Sequence, residues 1–228
     1  MPRLIARELM DDDASSDDAA ECRASLHDVD RVNALLGGRR LMRIEIDRLP
    51  HPPETILDVA TGGAGMPIFM LDHLRARGVR ATCVAVDRSE RVLNVAAAQL
   101  AGRTDVRLQI ADAVALPFPD ASFDLGTLVL ALHHFDGQSA VTALRELARV
   151  ARTVIVNDLR RSTVAWAFAR VVFPLFTHNR FTLNDGPMSV LRAYTPAEAY
   201  ALARDARWSS IAVRKHPGYR MALVGGGR

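Results

Sequence analysis

The stretch Ile56–Pro67, ILDVATGGAGMP, constrains this chain more than any other, because an apolar run there ends in an acid and passes into a glycine-rich turn. Ile56, Leu57 and Val59 suit a buried parallel strand. Gly62, Gly63 and Gly65 let the backbone come close to a ligand, and Pro67 fits the first turn of a helix. That helix runs through PIFMLDHLRAR to a glycine stop at Gly78. Strand, ligand-binding turn and helix in this order predict an α/β domain whose ligand sits at the carboxyl ends of the strands.

The turn discriminates between cofactor classes. A dinucleotide fingerprint read from Gly63 gives Gly63, Gly65 and then Ile68, where a small residue should allow close helix-to-strand packing. An acid at Asp58 would repel a pyrophosphate, and it suits a cofactor that carries positive charge. A second strand, in RATCVAVDRSE, ends in Asp87, placed to accept hydrogen bonds from ribose hydroxyls, and a helix follows from about Ser89 to Leu100. A third strand ends at Ala111 and Asp112, and a fourth, Leu125 to Leu132, leads to His133 and His134. The fifth, in RTVIVNDLRRS, presents Asn157 and Asp158. Two last strands, Ser210 to Lys215 and Tyr219 to Val224, are joined by a His-Pro-Gly turn and must be antiparallel. The expected fold is a Rossmann-like, seven-stranded, mostly parallel sheet with an antiparallel carboxyl-terminal hairpin and helices on both faces.

Four stretches in this order resemble the class I S-adenosylmethionine-dependent methyltransferases, in particular the small-molecule branch that includes the ubiquinone and menaquinone methyltransferases. LDVATGGAG resembles the first motif, AVDRSE the ribose-binding acid, ADAVALPFPDASFD the adenine-binding acid with its following stretch, and LALHHF the segment after strand four. The resemblance spans roughly residues 57–156 and implies S-adenosylmethionine as cofactor, converted to S-adenosylhomocysteine. It implies cofactor contacts from Asp58, Ala60, Thr61, Gly62, Gly63, Asp87, Arg88, Asp112, Ala113 and Leu130. Ala60 and Ala64 stand where the family pattern has glycine, so their methyls are expected to crowd the methionine moiety or to demand a different backbone path.

The flanking segments are expected to choose the acceptor. Residues 1–50 read as a helical extension: an acid-rich start, a helix from near Asp18 with apolar residues at helical spacing, a break at Gly37 and Gly38, and a helix from Leu41 to Leu49. This extension either roofs the site or forms a homodimer contact. The methyltransferase domain proper then occupies residues 51–228. Within it, in relatives of this kind, an insertion at about 160–195 forms much of the acceptor pocket, which makes Arg180, Asp185 and Arg192 candidates for contacting a polar acceptor, beside His134 and Asn157. Asn184 to Pro187 also reads as a simple turn, and Thr195, Pro196 and Glu198 as a helix cap.

Methyl transfer to a hydroxyl requires loss of a proton, and a histidine is the natural base near neutrality. Of the pair His133 and His134, His133 is the first candidate, with Asp158 as its partner or as the second candidate; neighbours at a strand end are expected to point their side chains apart, so that one histidine faces the acceptor and the other packs or binds backbone. His178 and His216 read as structural, and no metal is expected, since Asn157 and Asp158 are too few ligands for magnesium. The expected acceptor is a small hydrophobic or aromatic molecule such as a phenol, quinone or polyketide, methylated on oxygen in preference to carbon. Methylation of an activated ring carbon, and a methyltransferase fold that has lost catalysis and serves as a scaffold, stand as alternatives.

Composition agrees with one enzyme domain. A chain of 228 residues, 49% hydrophobic, builds a sizeable single core. With a net charge of +3 and no basic cluster interleaved with aromatics, nucleic acid is not an expected partner. Cys22 and Cys83 define neither a disulfide framework nor a metal site, which suits a reducing cytoplasm. The first ten residues lack the apolar core of a signal peptide. The apolar run Thr163–Thr177 is too short, and too interrupted by Arg170 and Pro174, to span a bilayer, so it reads as a buried or amphipathic helix.

Overall fold

A computed structural model describes residues 1–5, 19–176 and 179–226. The acidic residues at 11–13 and 17–18, and His178, lie outside them. Two helices, α1 (Ala19–Leu35) and α2 (Gly38–Asp47), precede β1 (Thr55–Val59), α3 (Gly65–Ala76), β2 (Thr82–Asp87), α4 (Glu90–Gln99), β3 (Val106–Ile110) and β4 (Phe123–Val129). A 3-10 turn (Leu132–His134) leads to α5 (Gly137–Val150) and β5 (Ala151–Leu159), then α6 (Thr163–Phe176), α7 (Arg180–Arg192), α8 (Pro196–Asp205), β6 (Ser210–His216) and β7 (Arg220–Gly226).

The seven strands form one sheet in the order β3-β2-β1-β4-β5-β7-β6. β1 to β5 are parallel, and β7 runs antiparallel to both β5 and β6. Alternation along the strands feeds two cores, because successive side chains leave opposite faces of a sheet. Leu57, Val154, Val156, Met221 and Leu223 pack with Leu144 and Leu147 of α5 and Ala199 and Ala203 of α8. Ile56, Ile155 and Ala222 pack on the other side with Leu41, Met42 and Ile46 of α2 and Met70, Leu71 and Leu74 of α3. The expected seven-stranded sheet, its antiparallel hairpin and its helices on both faces are therefore present.

Three local expectations change. The fourth strand stops at Val129, and the two histidines fall in the 3-10 turn beyond it. Gly38 does not end a helix but opens α2, where a side chain would run into Asn33 and Arg220. The residues read as a turn, Asn184 to Pro187, lie inside α7. Tertiary contact overrides local propensity there: the Thr182 hydroxyl donates to the Asp28 carboxylate of α1 at 2.9 Å.

The helical extension is tied to the far side of the sheet by buried polar groups. Arg220 of β7 is fully buried; its Nε donates to the Leu36 carbonyl and its Nη1 to the Asn157 side chain, which itself donates to the Gly38 carbonyl at 3.0 Å. Burial lowers the Arg220 pKa to about 10. Glu45 of α2, 1% exposed, is held by Arg48, Arg214 and His216, which gives His216 a structural partner. Two such sets of groups resist separation, because removing one partner leaves another buried and unpaired.

Close packing also fixes Gly126 in β4, where a Cβ would lie 2.9 Å from both the Ala151 Cβ and the Leu147 Cδ1. Gly126→Ala is expected to cost about 1 to 3 kcal/mol. In a domain of this size that lowers the melting temperature by roughly 2 to 4 °C per kcal/mol, measurable by calorimetry or circular dichroism.

Candidate active site

The strand order reverses between β1 and β4, and ligands of open α/β sheets bind at such a crevice. A cavity of about 1130 Å³ opens there. It slightly exceeds the range of about 300–1,000 Å³ typical for a single drug-sized ligand. Its wall includes ten sequence-selected cofactor residues: Asp58, Ala60, Thr61, Gly62, Gly63, Asp87, Arg88, Asp112, Ala113 and Leu130.

Asp58, at the end of β1, is 2% exposed, and its Oδ1 accepts a hydrogen bond from the Thr127 hydroxyl of β4 at 2.5 Å. Burial raises its pKa to about 6 against the hydrogen bonds it receives, and the neighbouring carboxylates of Asp87 and Asp30 push it the same way. Asp87 receives the Gly62 and Ser89 amides at 3.3 and 3.1 Å, and burial raises its pKa as well. Asp112 receives the Val114 amide at 3.1 Å. A fourth acid, Asp30 of α1, reaches the glycine turn from the helical extension; burial raises its pKa although Gln99 donates to it at 3.2 Å. A Cβ on Gly65 would collide with the Asp30 carboxylate, which gives that glycine its reason. No sequence pattern marked Asp30, since an acid on an amphipathic helix reads as a surface residue. Partly buried acids with raised pKa values favour a ligand that brings positive charge to them.

The backbone of the turn corrects an expectation about its alanines. Ala60 and Ala64 have φ of 55° and 64°, the left-handed region that glycine enters freely. The alanines thus keep a glycine-like path at a cost of about 1–2 kcal/mol each. Ala64 is fully buried and packs against Ala96 and Leu100, away from the cavity wall, and Ile68 joins the same cluster, so the position that breaks the dinucleotide pattern is filled by core packing. Only the Ala60 methyl borders the cavity. Leu130, also left-handed at φ 51°, carries the chain out of β4.

At the other end of the cavity lies the histidine turn. The His133 Nδ1 is 2.7 Å from Asp158 Oδ1, and the His133 amide donates to Asp158 Oδ2 at 2.9 Å. Both side chains are almost fully buried. Burial alone would raise the Asp158 carboxyl, but the His133 charge and the hydrogen bonds it receives hold it below the usual range. The His134 ring does not diverge from that of His133: their centroids are 4.4 Å apart with the planes tilted by 33°, because a 3-10 turn lacks the alternation of a strand. Both histidines line the cavity.

The acceptor-side candidates separate. Arg192 and Asp185 are buried and line the cavity, with the Arg192 guanidinium donating to the His134 carbonyl at 3.2 Å. Asn157 is fully buried in the Arg220 network and does not line the cavity, which corrects its expected contact with substrate. The side chain of Arg180 lies outside the described residues. Leu26, Val29 and Asn33 of α1 complete the wall. Among the described residues no group of three or more His, Cys, Asp or Glu is placed to hold a metal ion, and no helix is long and apolar enough to cross a membrane.

Known proteins share both the motif segment and the fold. Residues 57–153 match the family model described as "Methyltransferase domain". A demethylmenaquinone methyltransferase of Thermus thermophilus is 35% identical over 112 residues, 48% of this chain and 49% of that protein. A methyltransferase of Bacillus subtilis, described as uncharacterized, is 35% identical over 97 residues, 42% of this chain and 35% of that protein. The match to these curated relatives thus spans about half of their length or less. In three dimensions the chain resembles an S-adenosylmethionine-dependent methyltransferase from Aquifex aeolicus (TM-score 0.64, 17% identity, 89% of this chain and 97% of that one). It also resembles human N-acetylserotonin methyltransferase, solved with S-adenosylmethionine (TM-score 0.70, 14% identity, 99% of this chain and 61% of that one). Residues 57–153 are a methyltransferase domain, carried on the class I fold of the S-adenosylmethionine-dependent enzymes. Relatives named for quinone methylation bear out the resemblance seen in the four motifs.

The buried acid at Asp58 predicts a trade of stability for binding. Its folded-state pKa lies above the unfolded value of 3.8, so the folded form holds the extra proton, and stability falls as pH rises from about 4 to about 6. Asp58→Asn is expected to stabilise the ligand-free protein by about 1 to 3 kcal/mol at pH 7.5, with the gain vanishing near pH 4. The same variant should lose most of the thermal shift given by S-adenosylmethionine.

Proposed function

We propose that the chain transfers the methyl group of S-adenosylmethionine to a hydroxyl of a small hydrophobic or aromatic acceptor, with His133 as general base and Asp158 as its partner. The observation that carries this reading is His133, on the wall of a cavity also lined by Asp58, Asp87 and Asp30, with the buried Asp158 held behind its ring at 2.7 Å. A ligand with an ammonium and a sulfonium would offset the raised carboxyls of the acidic end. Asp87 is the group to accept hydrogen bonds from ribose hydroxyls, with Asp112 and Ala113 beside the adenine.

When bound, S-adenosylmethionine supplies a methyl carbon on a positively charged sulfur, and displacement leaves the bonding pair on a neutral thioether. Asp158 accepts the His133 Nδ1 proton and so fixes the neutral tautomer with its lone pair on Nε2. Nε2 takes the acceptor's hydroxyl proton as the oxygen forms its bond to the methyl carbon, and the imidazolium is stabilised by the Asp158 carboxylate. His134, its ring packed at a tilt beside that of His133, shapes the acceptor side of the cavity together with Arg192 and α1.

A second reading has support from the relatives named as demethylmenaquinone methyltransferases. In it the acceptor is a hydroquinone whose ring carbon attacks once His133 has removed a phenolic proton. Both readings use the same base, and they differ in where the label ends.

Calorimetric titration should give micromolar binding of S-adenosylmethionine and S-adenosylhomocysteine and none of NADH. Absence of binding by folded protein would leave a methyltransferase-fold scaffold as the better reading. Asp87→Ala should weaken binding by about 1 to 3 kcal/mol. Asp158→Asn and His133→Gln should each lower kcat about 10²- to 10⁴-fold, the range of a lost general base, with cofactor affinity unchanged. Equal turnover of wild type and Asp158→Asn on a phenol and a naphthohydroquinone would remove the pair from catalysis.

A further inference from the structure

The histidine turn is held by more than its own backbone hydrogen bonds and the Asp158 carboxylate. A 3-10 turn of three residues leaves its last carbonyls without partners inside the turn, and donors must come from elsewhere. Two arginines distant in sequence supply them. Arg3 Nη2 donates to the carbonyls of His133 and Phe135, both at 3.0 Å, and Arg192 Nη2 donates to the carbonyl of His134 between them at 3.2 Å. The Tyr194 hydroxyl adds a second bond to the Phe135 carbonyl at 2.7 Å.

Arg3 is itself fixed from every side. Its Nε donates to the Arg192 carbonyl at 2.6 Å, its Nη1 pairs with Asp136, and its guanidinium lies 4.0 Å from the Tyr194 ring centroid. The surrounding backbone is anchored too, by the Leu4 amide on the Leu191 carbonyl and by Arg161 on the Met1 carbonyl. The side chain is only 13% exposed, unlike an arginine lying on a surface. A planar fork that bridges alternate carbonyls, stacks on an aromatic ring and reaches the end of α7 is a task that lysine cannot take over.

We propose that Arg3 is a positioning residue: it locks the Leu132–His134 turn so that His133 and His134 face the acceptor, and it couples that turn to α7, which borders the acceptor side. The proposal rests on the methyltransferase reading for its catalytic consequence, but its structural half is testable without any acceptor. A general base must sit within hydrogen-bond reach of the proton it removes, and a displacement of about 1 Å can cost about a hundredfold in rate.

The test compares wild type with Arg3→Met, which keeps the stem and removes the fork, and with Arg3→Lys. In ligand-free protein labelled on its histidine rings, with His133 and His134 assigned through His133→Gln and His134→Gln, Arg3→Met should move or broaden both imidazole signals and leave that of His216 unchanged. S-adenosylhomocysteine affinity should stay within about twofold, because the acids and the glycine turn are untouched. On a naphthohydroquinone acceptor kcat should fall at least about tenfold, Arg3→Lys should not restore it, and added guanidinium ion should restore part of it in Arg3→Met alone. Unchanged imidazole signals in folded Arg3→Met overturn the proposal whatever the activity. If wild type fails to bind S-adenosylhomocysteine, the methyltransferase reading falls, while the imidazole comparison still decides whether Arg3 holds the turn.

Discussion

Asp58 and Thr127 face each other across β1 and β4, where the strand order reverses, and their 2.5 Å hydrogen bond closes the floor of the crevice. A carboxyl sealed there loses its hydration, which is why its pKa rises to about 6. The cost is spread over neighbours that are themselves acidic, Asp87 from β2 and Asp30 from α1, so the whole acidic end of the cavity is stabilised by a positively charged occupant. Stability without ligand is thereby exchanged for binding, as is common where a site holds groups that the core would not choose.

The opposite end is built on the reverse principle. Asp158 is just as buried, yet His133 and backbone amides hold its carboxyl below the usual range. Two carboxylates at the ends of β1 and β5 thus have their pKa values moved in opposite directions, because burial and neighbouring acids outweigh the Thr127 hydrogen bond at Asp58, while His133 and backbone amides outweigh burial at Asp158. Separation of pKa values by environment is a recurrent mark of acid–base sites. Between the two ends, the left-handed Ala60 and Leu130 bend the backbone around the cavity. Strain of that kind persists only where the surrounding sheet over-determines it.

The parts outside the motif segment are bound to it by buried polar contacts as well as by the apolar core that α2 shares with the sheet and α3. Arg220 and Glu45 hold α2 to β5, β6 and β7, and Asp28 with Thr182 joins α1 to α7. Asp30 then projects from the same helix onto the glycine turn, which makes the helical extension part of the cavity wall. Directional bonds of this sort fix register, because a slipped helix would leave charges buried and unpaired.

The seven strands, their mostly parallel sheet, the antiparallel hairpin and the acids at the strand ends were all legible in the sequence, because each depends on local grammar: apolar runs, glycine turns and acids at fixed places. His133 with Asp158 was legible as a candidate pair from two strand ends that the topology makes neighbours. What the sequence misread depended on distant partners. Asn184 to Pro187 look like a turn until Asp28 and the packing of α7 hold them in a helix, and Asn157 looks like a site residue until Arg220 and Gly38 claim its side chain. Asp30 and Arg3 carry no local signal at all, being a helix acid and a residue near the start of the chain. Local chemistry is written residue by residue and so is readable from one chain; the environment that shifts a pKa or holds a turn is assembled from segments more than 100 residues apart, such as Arg3 and His133, and only the tertiary structure brings them together.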